Sequence, residues 1–197
     1  MEFPADFPYQ ERVDEAEQES SANFARLIAA HPWLSDVGAA AMGIATRGDK
    51  ATAYKGLARL ADRVTRAAAP HVACTKGCSH CCHISVVITE FEARQIGKAC
   101  GIRPERVRKS GKQDELVAKY FGVPCPFLAD GLCSIYAHRP LSCRTHVNLA
   151  ATSFFCDTQI RPEWSFVPSL NLSGFQLAYG WLFQDEVAAD LRDFFPG

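Results

Sequence analysis

Charge of one sign is what this sequence lacks most plainly. Its 21 Lys and Arg stand against 22 Asp and Glu, a formal net charge of −1. That excludes a whole-molecule attraction to nucleic acid or anionic lipid. No glycine-rich phosphate loop, nucleophile elbow or His-Glu-x-x-His helix occurs, so a nucleotide-phosphate cradle, an α/β-hydrolase serine and a zincin centre are not expected. A Rossmann-type cofactor site has no support either. One uncharged stretch, residues 164–184, raises the membrane question, but Pro168, Ser169, Asn171, Ser173 and Gln176 interrupt it. An apolar span of about 20 residues is needed to cross a bilayer, so this stretch is read as core and no membrane is expected. The first twenty residues hold seven acidic and one basic residue, without a basic start or an apolar run. The expectation is a cytoplasmic chain and not a secreted one.

What is there is an ordinary core and an unusual amount of clustered cysteine. With 197 residues, 48% hydrophobic and 22% charged, the chain has the composition of a globular protein about one domain in size. Hydrophobic periodicity predicts helices over residues 13–30, stopped by His31-Pro32, and around Tyr54, Leu57, Leu60, Ala61 and Val64. Residues 84–88 are a β-branched run, read as extended. Thr89 with Glu92 reads as a capping box opening a helix over 90–100 that ends at Gly101. A further helix is expected over 103–120. Asp130-Gly131, between short apolar pieces, predicts a tight hairpin within 125–136. Phe175, Ala178, Tyr179, Leu182, Val187, Leu191 and Phe194 trace a C-terminal helix. The fold class expected is mainly α: a small irregular helical domain, with cysteine-bearing loops and a short hairpin around a metal site. The expected division is an N-terminal helical segment (1–69), a cysteine-cluster metal-binding domain (70–147) and a C-terminal helical segment (148–197) on the same core.

Seven of the nine cysteines form two groups: Cys74, Cys78, Cys81 and Cys82, then Cys125, Cys133 and Cys143. In a reducing cytoplasm such clusters bind metal or do redox work, and an odd total counts against a disulfide framework. Two cysteines separated by two or three residues can turn both sulfurs toward one ion, because the short loop folds back around it. Gly77 sits where such a loop needs a positive φ. The second group has seven and nine residues between its cysteines and begins 43 positions after Cys82. Closure of two separated ligand groups on one metal is the logic of structural zinc sites and of many iron–sulfur sites. The spacing alone names no metal. Adjacent Cys81 and Cys82 point to opposite sides of an extended chain, so one ligates while the other serves a second metal, a cluster or a redox role, or simply packs.

The run from Cys74 to Cys82, followed by CPFLADGLCSIYAHRPLSCR at residues 125–144, resembles the CxxCxxCC cysteine-cluster family of zinc- or iron-chelating domains. The resemblance rests on Cys125, Pro126, Phe127, Leu128, Gly131, Cys133, Ser134, Ile135, Tyr136, Arg139, Pro140, Cys143 and Arg144, and it covers residues 70–147. The chain departs from the pattern in having three residues, not two, between Cys74 and Cys78. The resemblance implies metal binding, with zinc and an iron–sulfur cluster both open. Some larger members resemble flagellin lysine N-methylases, which would make the cysteine region part of a protein-modifying enzyme.

Around the cysteines, Arg139 and Arg144 would offset thiolate charge, and His80, His83 and His146 offer imidazoles that seven thiols do not need. Cys100 is read as a core residue on its helix, and Cys156 as the same or as a spare thiol near the site. Basic residues gather over 50–76 and 94–112, without interleaved aromatics, and are read as solvated helix faces, so nucleic acid is not an expected partner. The functional reading is a cytoplasmic metal-binding protein with a structural or redox role. The alternatives are a component of a methyl-transfer-like enzyme working with a protein partner, or a metal-delivery or redox-sensing protein.

Overall fold

The computed structural model describes residues 7–196. It is mainly α, 57% helical, with few and short strands. In chain order the elements are α1 (Tyr9–Ala30), α2 (Val37–Ala45), α3 (Lys50–Ala68), β1 (Val87–Thr89), α4 (Glu90–Cys100), α5 (Gln113–Tyr120), β2 (Leu128–Ala129), β3 (Leu132–Cys133), α6 (Leu141–Thr145), α7 (Ser173–Leu182), β4 (Ala188–Asp190) and α8 (Leu191–Phe194). No described helix is long and apolar enough to cross a membrane. The chain divides into two compact units. One comprises residues up to Thr75 with Arg144–Leu182; the other comprises Lys76–Cys143 with the residues from Phe183 on.

In the first unit, α3 forms as its pattern dictates. The Asp49 carboxylate caps it, accepting from Ala51 N at 2.9 Å and Thr52 N at 3.0 Å. Ala53, Leu57, Leu60, Ala61, Val64, Ala67 and Ala68 recur at three- and four-residue steps as its buried face. Helix α2, an unbroken small and apolar run, carries no amphipathic signal and was not expected. It packs on α7, and the helices touch where glycine meets glycine: a Cβ built on Gly174 would stand 2.7 Å from Gly38 Cα. A small aromatic cluster joins α1 to the segment after α6, with Tyr9 edge-on to Phe155 and to Trp164 at centroid separations of 6.1 and 5.0 Å.

The second unit is organised by long-range backbone pairing. β1 and β4 pair antiparallel, with Val87 opposite Asp190 and Thr89 opposite Ala188. Helix α4 begins and ends where expected: Thr89 Oγ1 accepts from Glu92 N at 3.2 Å, and Gly101 takes φ 71° at the C-terminal end. The Glu92 carboxylate, however, is directed to Leu141 N, 2.7 Å away. The expected hairpin is present, with Leu128 opposite Cys133 and Asp130-Gly131 at its turn. Both turn residues have positive φ, 50° and 73°, which is the demand of a two-residue primed turn and the reason for glycine there. Val86, Ile88, Ala93, Ile96, Phe127, Ile135, Leu191, Phe194 and Phe195 make the core. Each large side chain there contributes about 1.5–3 kcal/mol by leaving water.

Two expected helices are corrected. Residues 103–112 are not helical; only Gln113–Tyr120 are. Their backbone groups are taken by the C-terminal segment instead, with Glu105 N donating to Phe194 O and Gly111 N to Ala188 O. The C-terminal helix over 175–194 is likewise broken after Leu182. Ala188–Asp190 extend to pair with β1, and a new capping box formed by Asp190 and Asp193 starts α8. In both places, pairing with distant backbone overrides local helical periodicity.

Candidate metal centre

The second unit carries six of the seven expected ligands: Cys78, Cys81, Cys82, Cys125, Cys133 and Cys143, all half-buried. The first group lies on a tight loop. Gly77 has φ 90°, as that loop requires, and His80–His83 form one 3-10 turn in which Cys82 N donates to Ser79 O at 2.8 Å. The ring nitrogen Nδ1 of His83 lies 3.1 Å from the same carbonyl.

The two groups are joined by main chain. Cys125 N donates to Cys82 O at 2.7 Å, and Gly122 N to His83 O at 2.7 Å. The Cys125 carbonyl accepts from Leu128 N at 2.9 Å, and Phe127 O accepts from both Ser134 N and Ser134 Oγ. These bonds fold 125–134 into a knuckle with Cys125 at its entry and Cys133 on its return strand. Cys143 comes from α6, whose first residue, Leu141, is tied through its N–H to buried Glu92. Cys125, Cys133 and Cys143 all pack against the core of this unit, and the first group is tied to them through the Cys125–Cys82 backbone bond.

The sulfurs of Cys82, Cys125, Cys133 and Cys143 feel one another's charge. Burial first, then a Cys82 thiolate nearby, pushes the Cys125 thiol up to about 11. Burial, and then Cys125, Glu92, Cys82 and Cys133, push Cys143 above the ordinary thiol range. Burial and Cys82 also raise Cys133, against Arg139 and the Ile135 N–H. Cys82 runs the other way. The hydrogen bond from Cys81 draws it down to about 7, with help from the Arg192 guanidinium and against burial. Clustered thiols that resist ionising together, gathered about one that ionises readily, are a donor set suited to a cation. Among the described residues, no three His, Cys, Asp or Glu side chains stand as a ready-made ligand set.

Sequence reasoning missed Arg192. This residue is 7% exposed and lies in α8. Its guanidinium donates to Cys82 O at 3.1 Å, to Val123 O at 2.6 Å and, through Nε, to Pro124 O at 3.2 Å. Nη1 is paired with fully buried Asp190 at 2.9 Å. No motif surrounds Arg192, and only its apolar neighbours Leu191 and Phe194 hint that it is buried. Arg144, expected to face thiolate charge, instead grips both carboxylate oxygens of Asp62 in the first unit, at 2.6 and 2.7 Å. Arg139 lies over the Tyr136 ring, 4.1 Å from its centroid. Cys100 packs against the core, as expected. Cys74 lies in the first unit, its sulfur accepting from Asn148 N at 3.5 Å. Cys156 is in the same unit.

Residues 73–160 match the profile of the CxxCxxCC family, described as a "putative zinc- or iron-chelating domain". The likeness carried by the two cysteine-bearing motifs thus holds for this segment, which runs on past the second motif to residue 160. No curated protein and no solved structure matches the chain.

Proposed function

We propose, with residues 73–160 as a CxxCxxCC segment for the premise, that the second unit binds a zinc ion or an iron–sulfur cluster. Cys82, Cys125, Cys133 and Cys143 are the thiolates that hold it. The observation carrying this reading is that the Cys125–Cys82 backbone bond joins the two cysteine groups while Cys125, Cys133 and Cys143 pack against one core. Cys81 supports the set by donating to Cys82, and Cys78 is a further thiol on the same loop.

When bound, the metal supplies a cross-link of positive charge among groups that otherwise repel on ionising. The protein's own residues do the remaining work. Arg192 and the Cys125 N–H fix the carbonyl of Cys82, so its side chain leaves the loop in one direction. Glu92 fixes the start of α6, and with it Cys143. The Phe127–Ser134 bonds set Cys133 relative to Cys125. This is the organisation of a structural site, in which the metal's binding free energy becomes folding free energy. Thiols kept free in this way belong in a reducing compartment, in keeping with a cytoplasmic protein.

Anaerobic purification followed by metal analysis and an absorption spectrum tests the reading. Zinc in a colourless protein, or iron and sulfide in a brown one, supports it and names the metal. A folded, reduced chain that contains neither metal and takes up neither on reconstitution overturns it.

A further inference from the structure

We infer that the basic strap of residues 103–112 binds the phosphate backbone of a double-stranded nucleic acid without reading its sequence. Five of the six charged residues in the strap are cations, Arg103, Arg106, Arg108, Lys109 and Lys112, against Glu105 alone. The strap thus carries a formal +4 and the rest of the chain −5. Attraction to an anion is local to this segment and not a property of the whole molecule.

These residues form no helix. The reading of this run as a solvated helix face, and with it the case against a nucleic-acid partner, therefore does not hold for them. The strap is instead fastened to the second unit through main chain. Ile102 N donates to Gly97 O at 2.9 Å, Glu105 N to Phe194 O at 2.7 Å and Gly111 N to Ala188 O at 3.0 Å. Ala188 N donates in turn to Ser110 Oγ at 3.1 Å. Its entry lies against the backbone of α4, where a Cβ on Gly97 would stand 2.4 Å from Ile102 O. Val107 packs against the core, while its neighbours Arg106 and Arg108 are exposed.

Cations on either side of Arg103–Lys109 are neutralised, and those between are not. Arg94 pairs with Glu90 at 3.1 Å, and Lys112 with Glu115 at 3.3 Å. Arg103, Arg106, Arg108 and Lys109 are all exposed and make no ion pair among the described residues. Like charges fixed along one short segment repel, and a polyanion relieves that repulsion. Three of these four are arginines, whose planar forks match phosphate oxygens.

The class of polyanion follows from what else the strap offers. It has no aromatic side chain on which unpaired bases could stack, which disfavours a single strand. An acidic protein surface needs an apolar anchor at the contact, and firm membrane binding needs apolar insertion. Only Ile102, just before the strap, is exposed for either purpose. A duplex backbone is bound by cations alone.

The test measures binding of the full chain, purified under reducing conditions, to short labelled DNA and RNA duplexes by anisotropy at several salt concentrations. Expected is a Kd of about 1–100 µM at physiological salt, with log K falling against log salt at a slope of about −3 to −4. Duplexes of unrelated sequence should bind alike, and binding of either DNA or RNA supports the inference and identifies the backbone. Arg103→Gln, Arg106→Gln and Arg108→Gln combined should weaken binding about tenfold or more and flatten the slope by about 3. Its melting temperature should be unchanged, since these side chains are exposed and unpaired. Lys55→Gln, Arg59→Gln and Arg66→Gln combined remove the same charge from exposed positions of α3 in the other unit. That variant should keep the full slope. Four results would each overturn the inference: no binding to either duplex at low salt, equal weakening in the two triple variants, tighter binding to a single strand, or capture by phosphatidylserine vesicles or polyglutamate with the duplexes left free.

Discussion

The guanidinium of Arg192 donates to the carbonyl of Cys82 across 110 residues of sequence. It thereby ties the last helix of the chain to the cysteine doublet. The same side chain holds Val123 O and Pro124 O, the two carbonyls just before Cys125. One buried cation thus brackets both cysteine groups from behind, while Asp190 balances its charge.

Replacing Arg192 should consequently damage stability and the metal centre together. Arg192→Ala leaves Asp190, fully buried, without its cation, and removal of one partner of a buried pair costs about 3–5 kcal/mol. The urea midpoint should fall accordingly, and zinc or iron should be held more weakly than in the unsubstituted chain. Arg192→Lys keeps the charge but not the planar fork that reaches three carbonyls and a carboxylate, so it should recover only part of the loss. A variant with an unchanged urea midpoint would show that the bracket carries little energy.

The cysteine variants separate ligands from packing. Cys125→Ser and Cys133→Ser should each lose the same metal from the second unit and lower the melting temperature by similar amounts. Chelation of the unsubstituted protein under reducing conditions should reproduce that shift. Cys100→Ala, at a thiol that packs against the core, should keep the metal and cost about 1 kcal/mol of packing. Half-loss in each of the two serine variants would mean two separate sites.

What could be read from the sequence was what local chemistry decides. Thr89 and Gly101 marked the two ends of α4, and Asp130-Gly131 marked the hairpin, because a cap or a positive-φ turn requires those residue types. The two clustered cysteine groups pointed to a metal-chelating segment, a reading that the family match over residues 73–160 supports. The segment 103–112 was not legible, since its conformation is set by Phe194 O and Ala188 O, more than 75 residues away. The break in the C-terminal helix has the same origin, in the pairing of β4 with β1. Helix α2 was missed because a uniformly small and apolar run has no periodicity to read. For the candidate centre, the sequence supplied the thiols but not their grouping: that Cys125 is bonded to Cys82 through the main chain, and packs with Cys133 and Cys143 on one core, depends on contacts between distant segments. Arg192 left no signal at all.

The crossing of α2 and α7 gives a test that is independent of metal. An added Cβ at Gly174 would lie 2.7 Å from Gly38 Cα, and one at Gly38 would lie 3.0 Å from Gly174 Cα. Backbone is on both sides, so no side chain can yield. Gly174→Ala should destabilise by about 1–3 kcal/mol, as overpacking does. Gly43, also in α2, has open space where its Cβ would go. Gly43→Ala should therefore stabilise, by about 0.5–1 kcal/mol, through helix propensity. Opposite signs in thermal denaturation would confirm that the helices meet backbone to backbone at one point.

Asp193 predicts the acid limb of stability. Burial raises its carboxyl, but hydrogen bonds from Lys119, at 2.8 Å, and from the Tyr120 hydroxyl outweigh it and hold the group below the usual carboxylate range. Its second oxygen accepts from Asp190 N and completes the capping box of α8. A carboxyl with a depressed folded-state pKa binds its proton more readily when unfolded. The stabilisation is therefore fully present above the unfolded value of about 3.9 and is lost as pH falls through the lower folded value. Asp193→Asn cannot ionise, so its urea midpoint should already be lower at pH 7. Between about pH 5 and 3, near that unfolded value, it should also decline less steeply than that of the unsubstituted protein. The two curves should converge at the acid end, because there both side chains are neutral. Parallel curves over that range would mean that Asp193 acts only through its capping geometry, with no contribution from its charge.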